Sequence, residues 1–206
     1  MSTNKYSARF QMMGTFIDVV VYHSNGEQLI REAYAQLADY AERFTVNQSD
    51  SELMCVNQNA GIAPVVVTDD LFDLIKLAKQ YSEDTRNPFN VAVGPLVKAW
   101  RIGFKDAKVP SHDVITDKLS LVDPTKIILN EDDHSVFLAQ KGMEIDLGAI
   151  AKGYFADQVK NKLVEAGVQS GFISLGGNVL TIGHSPDNSN KALRDPLIIS
   201  PKRNHV

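Results

Sequence analysis

The chain has 206 residues, of which 44% are hydrophobic, and a formal net charge of −4. This length and composition predict one globular domain over residues 1–206 that can bury its own core. Acidic and basic residues are mixed and no basic run occurs, so a nucleic acid is not an expected partner. No apolar stretch reaches about 18 residues, so a membrane-spanning helix is not expected either.

The start of the chain and its cysteine bear on location. Residues Met1 to Arg9 are polar and lack the apolar core of a secretion signal. Cys55, the single cysteine, lies deep in the chain and is interpreted as a small apolar residue rather than a lipid anchor. The sequence as written therefore predicts a cytoplasmic protein, while an exported parent whose export segment has been removed stays open.

The first half of the chain alternates between extended and helical patterns. The apolar run Phe16–Tyr22 predicts a strand, Asn25-Gly26 a turn, and Glu27–Phe44 an amphipathic helix. The pattern further predicts a short helix capped by Asp50 or Ser51 and ending near Gly61, an extended Pro64–Val67, and a long helix over Asp69–Thr85.

The middle of the chain predicts shorter elements. These are a helix at Leu96–Trp100, a charged, proline-containing loop over 103–113 and a helix at Asp113–Leu121. A strand at Ile127–Leu129 is expected to pair with one at Val136–Leu138. Helices and short strands mix without a regular strand–helix–strand repeat, so the expected fold class is α+β with short antiparallel strands.

The segment after residue 135 is the most informative part of the sequence. Val136–Leu138 and Met143–Ile145 are two apolar runs around Gly142, which predicts a hairpin. Apolar residues then recur every three to four positions, so a helix is expected from Gly148 or Ala149 to Gly167. A strand, Phe172–Leu175, follows it.

Lys152 lies near the start of that predicted helix. The peptide dipoles disfavour a cation there, so the lysine indicates an anion, such as phosphate, bound between it and the helix. The alternative is a solvated lysine that pairs with Asp157 or Glu144. Spacing alone leaves both interpretations open.

Two further features also allow a purely structural interpretation. An aspartate such as Asp146 ahead of a helix is commonly an N-cap. Gly176 and Gly177 follow a strand as a turn would, and the next glycine, Gly183, is too distant for the GxGxxG dinucleotide fingerprint. The sequence contains no GxSxG, HExxH, CxxC pair or P-loop motif, so it gives no support for those classes of enzyme.

Four collinear motifs carry a resemblance to a known family. The segment IDLGAIAKGY over 145–154 resembles the signature of the FAD:protein FMN transferases, the ApbE-like flavin transferases. Three other segments agree with the family in order and distance: MGT at 13–15, NPFNVAVGPLV at 87–97 with Trp100, and LGGN at 175–178. Four motifs in order over the chain are far more specific than any one of them.

The resemblance implies a fold and a reaction. The fold would be the ApbE-like, T-fold-like α+β architecture. The family uses FAD and Mg²⁺ to transfer FMN to a threonine or serine hydroxyl of an acceptor protein, and AMP is released. In such a phosphoryl transfer the protein chiefly positions the reacting groups and stabilises charge.

The resemblance also implies roles for individual residues. Ala149 matches a position that ligates Mg²⁺ through its backbone carbonyl, and no catalytic residue is assigned. The positions that match nucleotide contacts are Met13, Asn47, Pro88, Phe89, Asn90, Asp146, Lys152, Gly176 and Gly177. Without the resemblance, Met13 would be interpreted as a core methionine and Asn47 as a loop residue.

The chain departs from the family pattern in three places. Asn90 and Asn178 stand where relatives commonly carry aspartate, and Arg194–Val206 contains no match to the family's second metal motif, with Asp195 as its only carboxylate. The chain is therefore expected to be C-terminally truncated relative to the family. A flavin transferase, a non-catalytic FAD-binding protein or inactive fragment, and a plain domain with remnant motifs remain the three hypotheses.

Overall fold

A computed structural model describes residues 4–102 and 104–184. They form seven strands and six α-helices, which confirms the predicted α+β class. The described residues divide into two compact units, residues 4–39 with 152–184 and residues 40–151. Asp195 and the rest of 194–206 lie outside the described residues, and the single domain over 1–206 stays a prediction.

The first unit contains a four-stranded antiparallel sheet in the order β1-β2-β6-β7. Its elements are β1 (Lys5–Met12), β2 (Thr15–Tyr22), most of α1 (Gly26–Arg43), α6 (Ala151–Glu165), β6 (Ser170–Leu175) and β7 (Asn178–Gly183). One sheet face and the inner faces of both helices bury the core residues Ile17, Val19, Val21, Leu37, Phe155, Val159 and Ile173. Removing such side chains from water is the main force that holds the unit together.

The second unit contains a three-stranded sheet and four helices. Its elements are α2 (Glu52–Gln58), β3 (Val65–Val66), α3 (Asp69–Glu83), α4 (Gly94–Trp100), α5 (His112–Leu119), β4 (Ile127–Asn130) and β5 (Ser135–Leu138). Short 3-10 turns at Val91–Val93 and Pro124–Lys126 precede α4 and β4. Strand β5 lies between β3 and β4, and the predicted pairing is confirmed with Ile127 opposite Leu138.

Two sequence-based expectations were wrong. Met143–Ile145 does not form a hairpin with β5, whose two edges are taken by β3 and β4. The helix α6 begins at Ala151 rather than at Gly148 or Ala149, because residues 148–150 form a turn closed by the Ala151 N–H donating to Leu147 O at 2.8 Å. Strand β1 was not predicted at all.

The segment 143–147 is buried without being a strand. Met143, Ile145 and Leu147 are each at most 1% exposed. The Asn57 side chain, itself buried, pairs with the Ile145 backbone: the Ile145 N–H donates to Oδ1 at 2.7 Å and Nδ2 donates to the Ile145 carbonyl at 3.0 Å. A side-chain amide thus replaces the missing strand partner, because buried backbone groups must be hydrogen-bonded.

An ionic cluster of the second unit joins α2 and α3 to the last residue of α1. Arg43 at the end of α1 bonds Asp70 of α3 at 2.7 Å and Glu52 of α2 at 3.0 Å. Burial alone would raise the pKa of Asp70, but hydrogen bonds from Arg43 and Thr68 outweigh it and hold that pKa below its ordinary value. Asp70 therefore stabilises the folded protein in its ionised form.

Among residues 4–102 and 104–184, none of the helices is long and apolar enough to cross a membrane. The cytoplasmic location stays a prediction.

Replacing Asn57 by alanine should destabilise the protein by about 3 kcal/mol, because both backbone groups of Ile145 lose their partner in a buried place. Urea unfolding measures the change. Gln58→Ala is the matched control, since its exposed amide bonds only Ser49 O and its loss should be below about 1 kcal/mol. Equal losses in the two variants would contradict the role given to Asn57.

Replacing Asp70 by asparagine should lower the free energy of unfolding by about 1 kcal/mol at pH 7, a value already reduced for partial exposure. The depressed pKa means that the ionised form is favoured in the folded state, so the deficit should shrink as the pH falls below about 4. Denaturation from pH 3 to 7 measures it. Asp73→Asn, which removes an exposed carboxylate of the same helix, controls for the loss of one charge. A deficit for D70N independent of pH would refute the ionic role.

Candidate functional site

A cleft of about 950 Å³ lies in the second unit. It is lined by the loop after α1, the Pro88–Asn90 segment, helix α4 and the residues that follow it, and the segment 144–149. Six residues predicted from the family resemblance line this one cleft: Asn47, Pro88, Phe89, Asn90, Asp146 and Ala149. Residues up to 102 positions apart in the chain are therefore brought together.

The Pro88–Asn90 wall is held by its own polar side chains. Asn87 Oδ1 accepts the Phe89 N–H at 3.0 Å, and Asn90 Oδ1 accepts the Ala92 N–H at 2.9 Å. The hydroxyl of Ser82 accepts the Val91 N–H at 2.8 Å. Asn90 caps the 3-10 turn through its oxygen, a role that aspartate performs equally well, and its amide group remains as a donor.

The opposite wall is the buried segment that Asn57 holds. The Asp146 N–H donates to the Val91 carbonyl at 2.9 Å, which joins this wall to the first one. Asp146 Oδ1 accepts the Gly148 N–H at 2.8 Å and so shapes the turn that exposes Gly148 and Ala149. Asp146 is not the N-cap of α6, because Ile150 is the residue that precedes that helix.

Helix α4 closes the cleft by an approach that only glycine permits. A Cβ on Gly94 would lie 2.7 Å from the Glu144 carbonyl oxygen. Lys98 Nζ lies 2.7 Å from the Glu144 carboxylate, so the two charges on this side neutralise each other. Gly94 belongs to the NPFNVAVGPLV motif, but the motif gives it no separate role. Lys98 and Glu144 also line the cleft, and the sequence did not predict either of them as a lining residue.

The residues after α4 form a further part of the lining that sequence reasoning missed. Arg101, Ile102 and Phe104 line the cleft, and Ile102 and Phe104 are 60% and 54% exposed. Arg101 Nε lies 2.6 Å from Asp106, and its hydrogen bond holds the pKa of the Asp106 carboxyl below the ordinary value. The charged, proline-containing composition suggested only a loop, but exposed large apolar residues beside a motif were an available signal.

The other four predicted residues, Met13, Lys152, Gly176 and Gly177, lie in the first unit. Three of them lie in turns of its sheet: Met13-Gly14 joins β1 to β2 and Gly176-Gly177 joins β6 to β7, and all four turn residues have positive φ. Two-residue turns of this kind match the strand twist. The MGT and LGG motifs therefore contain tight hairpin turns. A turn at Gly176-Gly177 is what the purely structural interpretation of that glycine pair predicts.

Lys152 lies against one of these turns. A Cβ on Gly176 would lie 3.4 Å from the Lys152 Cδ and 3.0 Å from the Thr15 hydroxyl. Glu144, one of the two acidic residues that could pair with Lys152, forms its ion pair with Lys98 instead. In the described part of the chain no ion pair of Lys152 is present, with Asp157 or any other acid, so the lysine keeps its charge available for a ligand.

A second cavity of about 480 Å³ lies in the first unit between β1 and α1. Its lining includes Tyr6, Phe10 and Tyr34, and the rings of Phe10 and Tyr34 are 5.0 Å apart, edge to face. None of the predicted site residues lines it. The motifs therefore select the larger cleft.

Comparisons with known proteins identify relatives of this chain. A model of the ApbE family matches residues 13–201. A protein named FAD:protein FMN transferase from Klebsiella pneumoniae (strain 342) is 45% identical over 184 residues, 89% of this chain and 58% of its own length. One of the same name from Treponema pallidum (strain Nichols) is 35% identical over 87% of this chain and 52% of its own length.

A solved structure is similar as well. The ApbE protein of Thermotoga maritima aligns with a TM-score of 0.81 at 26% identity, over 88% of this chain and 60% of the other. The chain thus spans a little more than half the length of the relatives that it matches.

Gly176→Ala should destabilise the protein by about 2 kcal/mol, half from the positive φ and half from crowding against Thr15. Gly177→Ala is the matched control, since a Cβ there meets nothing within 4 Å, and should cost only about 1 kcal/mol. Chemical denaturation of both variants measures the difference, and an equal loss would show that Thr15 does not constrain the turn.

Proposed function

The chain belongs to the ApbE family, and on that basis we propose that its cleft binds FAD and that the protein is an FAD:protein FMN transferase. It moves FMN from FAD to a threonine or serine hydroxyl of an acceptor protein. The acceptor oxygen bonds to the phosphorus of the FMN half, the bond from that phosphorus to the bridging oxygen breaks, the hydroxyl proton leaves, and AMP is released.

One observation carries the proposal. Six residues that match the family's nucleotide or metal positions come from three separate parts of the chain and line one cleft of about 950 Å³: Asn47, Pro88, Phe89, Asn90, Asp146 and Ala149. That volume lies within the usual range of small-molecule sites. One wall offers apolar and amide groups, from Pro88 to Asn90, and the other offers the exposed turn at Gly148-Ala149. This combination suits a ligand with a flat ring system joined to a polar chain.

The polar groups of the cleft favour binding of a nucleotide by hydrogen bonds. Asp146 uses Oδ1 within its own turn, and in the described part of the chain Oδ2 has no partner, so it can accept from a ribityl, ribose or ring donor. The Asn90 amide can donate to a ring carbonyl. Lys152 does not line this cleft, and its proposed role, a positive charge that meets the diphosphate, rests on the resemblance to the family.

Magnesium does not fit the described residues as a complete site. The Ala149 carbonyl is a suitable hard donor on an exposed turn, but Mg²⁺ prefers an octahedral oxygen shell with one or two carboxylates. Among residues 4–102 and 104–184, no three acidic, histidine or cysteine side chains lie close enough to hold a metal ion. No step of the proposed reaction is therefore assigned to the metal.

Because the described residues offer the Ala149 carbonyl but no cluster of metal-binding side chains, a second candidate function is an FAD-binding protein that does not transfer FMN. Incubation with FAD, MgCl₂ and a threonine-containing acceptor peptide separates the two functions. Flavin fluorescence on the peptide after denaturation, together with equimolar AMP, supports transfer. Stable FAD binding with neither product supports the second candidate, and no FAD binding at all rejects both.

Replacing Lys152 by alanine should weaken FAD binding about tenfold, because a charge-assisted hydrogen bond to phosphate is lost. Titration calorimetry with FAD measures the affinity, and riboflavin, which lacks phosphate, should bind both proteins alike. Lys162→Ala, in the last turn of the same helix, controls for charge. Unchanged FAD affinity in K152A would refute the phosphate role.

A further inference from the structure

We propose that Arg101 and the ring of Phe104 form the surface on which the adenine of the dinucleotide stacks. This inference rests on the proposed function and deepens it, because it assigns a part of the ligand to lining residues that no motif includes.

The two side chains already form a stacked pair on the cleft wall. The Arg101 guanidinium lies 5.3 Å from the centroid of the Phe104 ring, and both residues line the cleft. Phe104 is 54% exposed and its neighbour Ile102 is 60% exposed. An exposed aromatic ring with a guanidinium on it is a surface that nucleobases use, since every base has a face that can stack.

The charge of Arg101 argues for a neutral ring rather than a phosphate. Asp106 lies 2.6 Å from Arg101 Nε and opposes its positive charge. A phosphate would have to compete with that carboxylate and would meet its negative charge. A neutral planar base has no such cost, and the ion pair holds the guanidinium plane in place for stacking.

The backbone of Arg101 also favours a role for its side chain. The residue ends α4 in the left-handed conformation, with φ 55° and ψ 43°, and its N–H donates to the Lys98 and Val97 carbonyls. Glycine is the usual residue at such a helix end because it adopts this conformation without strain. Arginine accepts the strain and places a side chain on the cleft wall.

The adenine is the part of FAD that lacks other candidates. In the proposed site the Asn90 amide donates to a carbonyl of the flavin ring, and Lys152 meets the phosphates. The only described cleft residues with an exposed aromatic ring beside a guanidinium are Arg101 and Phe104. The purine fits this pair in size and in its lack of charge.

Calorimetric titration of the whole chain with AMP, FAD and FMN tests the proposal. Phe104→Ala should weaken binding of AMP and of FAD by the same factor, about tenfold, and leave FMN binding unchanged. Phe104→Tyr, which keeps an aromatic ring, should bind AMP and FAD as tightly as the wild type. Arg101→Gly should act in the same direction without loss of thermal stability, because glycine suits that backbone. Tyr81→Ala, an exposed aromatic residue outside the cleft, is the control for surface truncation.

Each other outcome is decisive. AMP affinity within twofold of wild type in F104A overturns the proposal, as does a loss confined to FMN, which would place the flavin on this surface. Wild-type protein that binds AMP but not FAD, with AMP binding lost in F104A, refutes the proposed function and keeps the stacking surface. Wild-type protein that binds neither ligand refutes both.

Discussion

The candidate site depends on the pair of hydrogen bonds between the Asn57 side chain and the backbone of Ile145. This pair lets a segment without a strand partner run through the interior of its unit. Because Met143, Ile145 and Leu147 anchor it in the core, the residues between and after them are fixed as well. Asp146 and the Gly148-Ala149 turn reach the cleft at a definite position for that reason.

Close packing and charge pairing then shape the cleft. Gly94 lets α4 approach the Glu144 backbone to a distance that any side chain would prevent. Lys98 is paired with Glu144 and Arg101 with Asp106. Since these ionic groups satisfy each other, the cleft offers hydrogen-bonding amides, one carboxylate and aromatic surface rather than a field of free charges, which suits an uncharged ring system.

Sequence reasoning recovered most helices and the Gly176-Gly177 turn because their signals are local, but it did not predict the turn at Met13-Gly14. Helical periodicity located α1 and α3, and the glycine pair located a turn that requires positive φ. It missed β1, whose residues alternate between exposed and half-buried along the edge of a sheet, because the polar composition hid a regular alternation. It also placed Met143–Ile145 in a strand, since no local pattern reveals that Asn57, 88 residues away, supplies the hydrogen bonds.

The candidate site shows the same division. The family resemblance named six residues that share one cleft, five of them from two of the four motifs, which composition and periodicity could not have done. Arg101 and Phe104 were missed because their importance comes from a guanidinium and a ring that meet only in the folded chain. Contacts of this kind depend on packing, and a single sequence carries little information about them.

Hydrogen–deuterium exchange with and without FAD tests the central claim, that FAD binds the cleft built on the anchored segment. The account predicts slower exchange on FAD addition in peptides that cover residues 87–94 and 144–151. Unchanged exchange in both regions, with protection instead over residues 6–10 and 27–34 around the smaller cavity, would contradict it.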